Sequence, residues 1–440
     1  MGRNTAEKIE IEKLAHGGDG LGHLEDGRVV FVERTVPGDV VDVDIVKEKQ
    51  SWARGRPAEF HERSDARVDI ECDAFERGCG GCQFWGVNYE SELHWKVDAA
   101  RESMERISGL EIPEPTICEA PQVRDYRSRV TYHQRRVDGD IVRGFFAQGS
   151  GRVVEVEQCP VARPVIDEAL AELDGALQMV GEADITVETA GATSAVVLVE
   201  LVHGERIEEE HLEELARRIE QGMTVTGLEI LDEDDDYYVI GDTTVDIHEV
   251  LADPPIASMR VESGRFRQAN AAVNRMMVDT VRQVVDDSWK RPRILELFCG
   301  SGNFTFPLAQ NADRVTAFEG SEGAVETARR ITDLAGESME HVRFDTAELT
   351  DLDVVHQVLE EPFEVVVLDP PRQGAPVVAE QLAALDRGGQ IVYVSCDAAC
   401  LARDAKTLAE GGWEMDRMWC FDMFPKTAHL ETVAVFEQHS

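Results

Sequence analysis

The chain has 440 residues, enough for two or three domains, and 43% of them are apolar without any apolar run of membrane-spanning length. Its net charge of -42 comes from 86 Asp and Glu against 36 Arg and eight Lys. By itself this charge favours a protein that never meets nucleic acid, because it repels polyanions. The same composition also suggests adaptation to a salt-rich cytoplasm, where charges are screened within about 3 Å. The charged N-terminus lacks the apolar core of a signal peptide, so we expect a cytoplasmic protein without membrane segments.

Residues 1–62 have the pattern of a small β-barrel. Two apolar or alternating segments, 28–32 and 39–46, are separated by a Pro-Gly turn at 37–38. A glycine-rich run, 17–22, precedes the first clear strand. This order resembles the TRAM domain of RNA-modifying enzymes, an OB-like barrel, and the resemblance implies a module that grips RNA.

A central α+β segment, 63–265, carries four cysteines that suit a metal site: Cys72, Cys79, Cys82 and Cys159. Disulfides are disfavoured in a reducing cytosol, which leaves structural zinc or an iron-sulfur cluster. The uneven spacing and the Cys-Pro ending favour a [4Fe-4S] cluster and resemble a cluster-bearing enzyme family, while zinc stays open as the alternative. We expect a structural role for the metal.

Arginine is concentrated between residues 122 and 152, where seven Arg face three Asp in an otherwise acidic chain. Aromatic residues lie among them at Tyr126, Tyr132, Phe145 and Phe146. Arginine pairs with phosphates and aromatic rings stack on unpaired bases, so the segment suits single-stranded RNA. A buried network of arginine-carboxylate pairs is the structural alternative.

Residues 266–440 alternate strands and helices, which predicts a doubly wound, Rossmann-like parallel sheet. The predicted strands are 293–298, 314–318, 341–344, 364–368 and 390–394. The predicted helices are one from 303, 323–334 and 376–385.

The first strand of this region leads directly into Gly300-x-Gly302, and only glycine lets a backbone turn so tightly beside a ligand. Glu319 ends the next strand, where a carboxylate can accept hydrogen bonds from both ribose hydroxyls. The third glycine of a dinucleotide fingerprint is missing, since Asn303 follows instead. Together these features favour S-adenosylmethionine over NAD as the cofactor.

Asp369 follows another buried strand, and two prolines stiffen the loop that holds it beside the reactive end of the cofactor. Enzymes that methylate amines carry a similar acidic or amide residue before Pro-Pro, followed by an aromatic residue that stacks on the base. Arg372 stands in place of that aromatic residue. We therefore expect a substrate atom other than an exocyclic amine.

Cys396 lies just after the end of the apolar strand 390–394, at the edge where open α/β sheets bind ligands. Carbon 5 of a pyrimidine becomes nucleophilic only after a thiolate adds to carbon 6, and a base must later remove the proton from carbon 5. Cys396 supplies the thiol. Glu431, just before the strand 432–436, is the candidate base, and His429 is its rival.

Five motifs together resemble the RNA (uracil-5-)-methyltransferase family, and they occur in its order: 266–270, 295–305, 368–372, 394–396 and 424–431. The resemblance covers nearly the whole chain and, with the acidic composition, suggests a haloarchaeal source. It implies that Cys396 is the nucleophile and Glu431 the base. It also implies that S-adenosylmethionine is bound by five side chains: Gln268, Phe298, Asn303, Glu319 and Asp369.

The barrel and the cysteine cluster resemble enzymes that act on large-subunit ribosomal RNA, which is the substrate we expect. Relatives that methylate the transfer-RNA T-loop carry similar modules and provide the alternative. A cytosine-5-methyltransferase normally places its cysteine beside a proline, so Ser395 before Cys396 argues against it. A non-catalytic RNA-binding protein has no use for both Cys396 and Glu431. We expect the enzyme to act as a monomer.

Overall fold

The protein is represented by a computed structural model that describes residues 7–232, 234, 236–246, 260–264, 267–385 and 388–438. These residues form two compact units. One unit contains the described residues up to Glu71, Cys82–Glu119, and those from Leu349 onward; the other contains Cys72–Gly81 and the described residues of Ala120–Glu348.

The helices are α1 Asp73–Glu76, α2 Tyr89–Ser108, α3 Pro164–Met179, α4 Glu209–Gln221, α5 Ala271–Ser288, α6 Thr305–Ala309, α7 Glu322–Ala335, α8 Leu352–Val358, α9 Pro376–Ala383 and α10 Ala398–Glu410. The strands of the first half are β1 Glu7–Glu10, β2 Lys13–Leu14, β3 Gly20–His23, β4 Val29–Val32, β5 Val40–Glu48, β6 Trp52–Glu62, β7 Thr116–Cys118, β8 Arg129–Val137, β9 Asp140–Phe146, β10 Val153–Glu155, β11 Ala183–Thr189 and β12 Ala195–Leu201. Those of the second half are β13 Val225–Leu231, β14 Tyr237–Gly241, β15 Thr244–Asp246, β16 Arg260–Glu262, β17 Arg293–Leu297, β18 Arg314–Glu319, β19 Val342–Thr346, β20 Val365–Leu368, β21 Gln390–Ser395, β22 Trp413–Phe421 and β23 Glu431–Gln438.

The N-terminal module is a six-stranded sheet with the order β1-β5-β6-β4-β3-β2. Alternate side chains along its strands are buried, as Val30 and Val32 are in β4, and they form one apolar core with residues of β1 and β5. β3 passes close to the end of β1, since a Cβ on Gly22 in β3 would lie 2.4 Å from the carbonyl oxygen of Glu10. Only glycine fits this close approach.

The rest of the first unit is built on β20, β21, β23, β22 and β7. β20 and β21 are parallel, β23 runs antiparallel to β21 and to β22, and β7 joins β22 in parallel. β20 and β21 are buried along their whole length, which fits strands covered by helices on both faces. Helix α2 packs against α10.

The antiparallel strands and β7 depart from the prediction of a purely parallel sheet over 266–440. β7 and α2 belong to the segment predicted as the central domain, yet they pack with the C-terminal residues. The predicted boundary at 62/63 stays a prediction. The boundary at 265/266 lies outside the described residues.

The second unit contains a seven-stranded sheet, β10-β9-β8-β11-β12-β13-β14, in which β12 and β13 are parallel and the other pairs are antiparallel. β17, β18 and β19 of the same unit are parallel neighbours, as predicted. Every strand predicted between 293 and 394 is present, with its ends shifted by at most two residues. Helices α5, α8 and α10 were not predicted.

Within the described part of the chain, no helix is both long enough and apolar enough to cross a membrane.

Candidate active site

Three neighbouring strand ends bring the predicted catalytic residues together. Because β20 and β21 are parallel with Leu368 beside Tyr393, the loop that begins with Asp369 emerges at the end of β21 where Cys396 lies. β23 runs antiparallel to β21, and the last paired positions are Ser395 and Thr432. Cys396 and Glu431 are the next residues along these two strands.

Cys396 lies in a sharp turn between β21 and α10. The backbone N–H of Asp397 donates to the Ser395 hydroxyl over 3.2 Å, and that hydroxyl donates to the Asp397 carbonyl over 3.0 Å. The Asp397 side chain caps α10 by accepting from the N–H of Cys400 at 2.8 Å. Cys396 is half-buried beside this helix N-terminus, whose dipole favours a thiolate.

Burial controls the protonation of both candidate catalytic groups. It raises the pKa of Glu431 to about 8, and the nearby negative charge of Asp369 adds to the rise. It also raises the pKa of Cys396 to about 11, with further contributions from Glu431 and Asp369. Both groups therefore hold a proton at neutral pH. A carboxyl group that titrates near the working pH suits a general base.

Arg372 is the residue of this site that sequence reasoning gave no catalytic role. Its guanidinium is exposed, and its positive charge opposes the pKa rise of both Cys396 and Glu431. Arg372 is visible in the sequence as the last residue of the Asp-Pro-Pro-Arg motif. Its role in stabilising the Cys396 thiolate follows only from the meeting of the strand ends.

His429, the rival base, has an exposed side chain whose ring lies edge-on to Phe424, with 6.1 Å between the ring centroids. Glu431 is buried at the strand end instead. This placement favours Glu431 as the base.

The predicted cofactor loop lies in the second unit, at the carboxyl end of β17. Its backbone turns through left-handed positions at Phe298, Gly300 and Gly302, with φ of 62°, 55° and 98°. A Cβ on Gly302 would lie 2.4 Å from the Phe306 ring, whereas one on Gly300 would meet nothing within 4 Å. Gly302 is therefore needed for packing, and Gly300 lies on an open face of the loop.

Glu319 is fixed against this loop by two backbone groups. The N–H of Gly300 donates to one carboxylate oxygen over 3.1 Å, and the N–H of Ser321 donates to the other over 2.8 Å. Each oxygen keeps a lone pair, so the carboxylate can still accept hydrogen bonds from a ribose. The geometry fits the role predicted for Glu319.

Asn303 forms a reciprocal amide pair with Asn274 of α5, with distances of 2.9 and 3.1 Å. Asn274 is buried, and sequence reasoning missed it because a helical asparagine gives no signal of its own. Gln268 is partly buried two residues before Asn270, which caps α5. Asp369 belongs to the other unit.

The four predicted metal ligands are reduced cysteines in this structure. In the described parts of the chain, no group of three or more His, Cys, Asp or Glu side chains is placed to hold a metal ion. Cys79 accepts from the N–H of Gly81 at 3.5 Å. Burial raises the pKa of Cys159 to about 11, against hydrogen bonds from the N–H groups of Val161 and Ala162. The ligand assignment stays a prediction.

The arginine-rich segment largely adopts the structural alternative. Arg135 pairs with Asp184 at 2.6 Å and Arg143 with Asp174 at 2.6 Å. Tyr132 is fully buried and stacks on Phe145, with 4.9 Å between ring centroids. Arg135 thus joins β8 to β11, Arg143 joins β9 to α3, and the stacked rings join β8 to β9, so these four side chains are engaged within the second unit.

The profile of the tRNA (uracil-5-)-methyltransferase family matches residues 88–439, and that of the TRAM domain matches residues 4–58. The chain belongs to the tRNA (uracil-5-)-methyltransferase family. The family resemblance and the N-terminal TRAM domain predicted from the motifs are therefore confirmed.

Similar family members include the 23S rRNA (uracil(1939)-C(5))-methyltransferases RlmD of Methylococcus capsulatus and Vibrio campbellii. They are 34% and 32% identical to this chain, over 97% and 98% of it and 96% of each relative. Among solved structures, the Pyrococcus abyssi tRNA (uracil-54, C5)-methyltransferase in complex with S-adenosyl-L-homocysteine matches with a TM-score of 0.72. It is 23% identical and covers 98% of this chain and all of its own, which confirms a mixed α/β methyltransferase fold.

Replacing Glu431 with Gln tests the pKa assigned to this group. Between about pH 4.5 and its folded pKa of about 8, folded Glu431 keeps a proton that the unfolded chain has lost. The stability that this proton contributes is full below about pH 4.5 and is lost as the pH rises through about 8. We expect Glu431→Gln to gain stability over the wild type by up to about 4 kcal/mol between about pH 5 and about pH 9.

The measurement is denaturant unfolding of both proteins at each pH and at constant high salt. Glu437→Gln, at the less buried end of the same strand β23, is the matched control for the loss of a carboxyl group from this strand. A constant difference between Glu431→Gln and the wild type would show that Glu431 is ionised throughout this range.

Proposed function

We propose that the protein is an S-adenosylmethionine-dependent methyltransferase that modifies carbon 5 of a uridine in large-subunit ribosomal RNA. The observation that carries this proposal is the adjacency of Cys396 and Glu431 beyond the last pair of β21 and β23. It lies in a chain that is similar over nearly its full length to enzymes named for 23S ribosomal RNA.

The nucleophilic step belongs to Cys396. Its sulfur, once deprotonated, adds to carbon 6 of the uracil, and the electron pair of the 5,6 double bond passes to carbon 5 and the adjoining carbonyl. The positive charge of Arg372 favours the thiolate, and the N-terminus of α10 acts in the same direction.

S-adenosylmethionine supplies the electrophilic methyl group that carbon 5 accepts. The residues proposed to hold this cofactor are Gln268, Phe298, Asn303, Glu319 and Asp369. The open face at Gly300 and the backbone-fixed carboxylate of Glu319 support the assignment.

Glu431 completes the reaction. Its carboxylate removes the proton from carbon 5, the 5,6 double bond re-forms, and the sulfur of Cys396 leaves as a thiolate. With a pKa of about 8, the carboxyl group gives up and takes back a proton near neutral pH.

The TRAM module is the region we propose for gripping RNA. Phe31 and Trp52 lie on neighbouring strands with 6.2 Å between ring centroids, and the Lys47 ammonium lies 5.7 Å from the Trp52 ring. Both rings are only partly buried. Aromatic faces next to cations suit stacking on bases. The alternative substrate is a transfer-RNA T-loop uridine, and the Pyrococcus abyssi enzyme is named for uracil 54 of transfer RNA.

The covalent mechanism is tested with RNA that contains 5-fluorouridine, because fluorine cannot be removed by a base. We expect the wild type with cofactor to form an adduct that survives denaturing electrophoresis, and Cys396→Ala to form none. Cys400→Ala, in the first turn of α10 and as partly buried as Cys396, is the matched cysteine control and reacts like the wild type. An adduct with Cys396→Ala would exclude this thiol as the nucleophile.

The same proteins distinguish the two substrates. Methyl transfer to large-subunit ribosomal RNA fragments and to unmodified transfer RNA is compared, followed by mapping of 5-methyluridine. We expect the ribosomal fragments to be methylated faster. Preference for the T-loop would establish the alternative, and methylation of cytidine would contradict both.

We further propose that Cys72, Cys79, Cys82 and Cys159 hold a [4Fe-4S] cluster, with zinc as the alternative. The spacing of the four thiols supports this proposal. Hydrogen bonds that backbone N–H groups donate to the sulfurs of Cys79 and Cys159 also support it, since such hydrogen bonds stabilise metal-bound thiolates.

Iron and sulfide analysis after purification without oxygen tests the cluster. We expect about four of each per chain, loss of both in Cys159→Ser, and retention in the control Cys118→Ser. Zinc without iron in the wild type would contradict the cluster and establish the alternative, a zinc site.

The acidic composition is proposed to be an adaptation to a salt-rich cytoplasm of the kind found in haloarchaea. With a net charge of -42, self-repulsion destabilises the folded chain wherever it is poorly screened. In such a cytoplasm the nine reduced cysteines stay reduced, and we propose that the enzyme works there as a monomer.

Thermal unfolding in increasing salt tests this adaptation. We expect the midpoint temperature to rise steeply up to about 1 M salt, where the Debye length is about 3 Å. Sucrose at the same osmolality is the control, because it stabilises by exclusion without screening charge. Equal stability in dilute buffer and in salt would contradict the proposal.

A further inference from the structure

Four buried charged side chains form a cluster between helix α2 and the loop that leads into Glu431. Glu92 and Lys96 belong to α2, and Asp422 and Lys426 belong to the loop. The Lys96 ammonium lies 2.7 Å from a carboxylate oxygen of Asp422 and 3.4 Å from one of Glu92. The Lys426 ammonium lies 2.9 Å from the other oxygen of Glu92. The cluster has two positive and two negative groups, so their charges balance.

Lys426 is fixed from three directions. Its backbone N–H donates to Glu92 over 2.6 Å, and its ammonium donates to the Val87 carbonyl over 3.2 Å. Its carbonyl accepts from the N–H groups of Gln83 and Phe84 at 2.8 and 3.1 Å. With φ of 69°, its backbone is left-handed, a conformation that costs a lysine about 1 kcal/mol or more. Tertiary contacts therefore impose the shape of this loop.

A buried ion-pair cluster is a weak source of stability, because desolvation of the charges offsets much of their attraction. Burial raises the pKa of Glu92, and the charges of Lys96 and Lys426 oppose that rise. Apolar side chains of similar volume would fill the same space at little cost or with a gain. The charged groups make directional contacts that select one conformation of the loop, which apolar side chains would not do.

That conformation matters because the chain reaches the catalytic base within five residues of Lys426. Between them, Ala428 donates its backbone N–H to the Gln83 side chain over 3.0 Å. Glu431 is then the first residue of β23. A displaced Lys426 would move the start of this strand and the carboxylate of Glu431 with it.

We propose that Lys426, clamped by Glu92, is a positioning residue for proton removal by Glu431. The inference rests on the proposed uridine methylation, since it concerns one step of that reaction. Lys426 acts through the loop and not on the substrate. Its loss therefore affects the step that Glu431 performs more than the addition of Cys396.

The test compares Lys426→Met with the wild type in steady-state methylation of uridine-containing RNA, and in single-turnover reactions that follow the adduct. We expect kcat to fall between about tenfold and about a hundredfold, the range for small misplacements of a catalytic group. KM for RNA stays within about twofold. The methylated covalent adduct accumulates, as in Glu431→Gln, because the sulfur of Cys396 leaves only after the proton is removed. A merely structural defect would lower adduct formation together with turnover.

The double variant Glu92→Met with Lys426→Met removes both partners and leaves the Lys96-Asp422 pair in place. We expect it to fold at least as stably as Lys426→Met, because no unpaired buried charge remains, yet still to accumulate the adduct. Recovery of wild-type turnover in this double variant would overturn the positioning role. Arg101→Met, which removes two partly exposed ion pairs made by the same helix, is the matched control and turns over normally.

The outcomes separate this inference from the proposed function. If the wild type forms no adduct and transfers no methyl group, the proposed function fails. If the wild type reacts and Lys426→Met releases its adduct at the wild-type rate, only the positioning role fails.

Discussion

The antiparallel pairing of β23 with β21 is the constraint on which the catalytic site depends. It brings the end of a buried parallel strand beside the beginning of the last strand, with Ser395 opposite Thr432. Alternate residues of a strand point to opposite faces, so a slip of one residue would turn Glu431 away from Cys396. Apolar burial along β21 and β23 resists such a slip. The packing of the core thus fixes the register on which the chemistry relies.

Burial that fixes the register also sets the charge of the site. Cys396, Glu431 and Asp369 place a thiol and two carboxyl groups close together, and Arg372 opposes their combined negative charge. Cys396 and Glu431 consequently remain protonated, so the buried site does not hold uncompensated negative charge. A cationic methyl donor suits such a site, because a positive charge nearby favours both the thiolate and the carboxylate that the reaction needs.

Much of this site was predictable from sequence, because strand ends follow from apolar runs and their flanking residues. That reasoning located the strands from 293 to 394, and the structure brings the two predicted catalytic residues, Cys396 and Glu431, to neighbouring strand ends. It failed where a residue's role is set by distant partners. Glu92 and Lys96 have the i, i+4 spacing of a surface pair, yet both are buried under a loop more than 300 residues away. Tyr132 was expected to contact RNA, but as an inward residue of β8 it is buried.

The loop before Glu431, the base proposed near the C-terminus, packs against the N-terminal module. The turn at Gly18 packs so closely that a Cβ there would lie 2.9 Å from Ala428 and 3.2 Å from Phe84. Gly18 has φ of 89°, so glycine is favoured both by the backbone and by the space. The module that we propose for gripping RNA therefore contacts the same loop that Glu92 of α2 holds at Lys426. Tertiary contacts from these two segments hold the loop in its shape, against the backbone preference of Lys426.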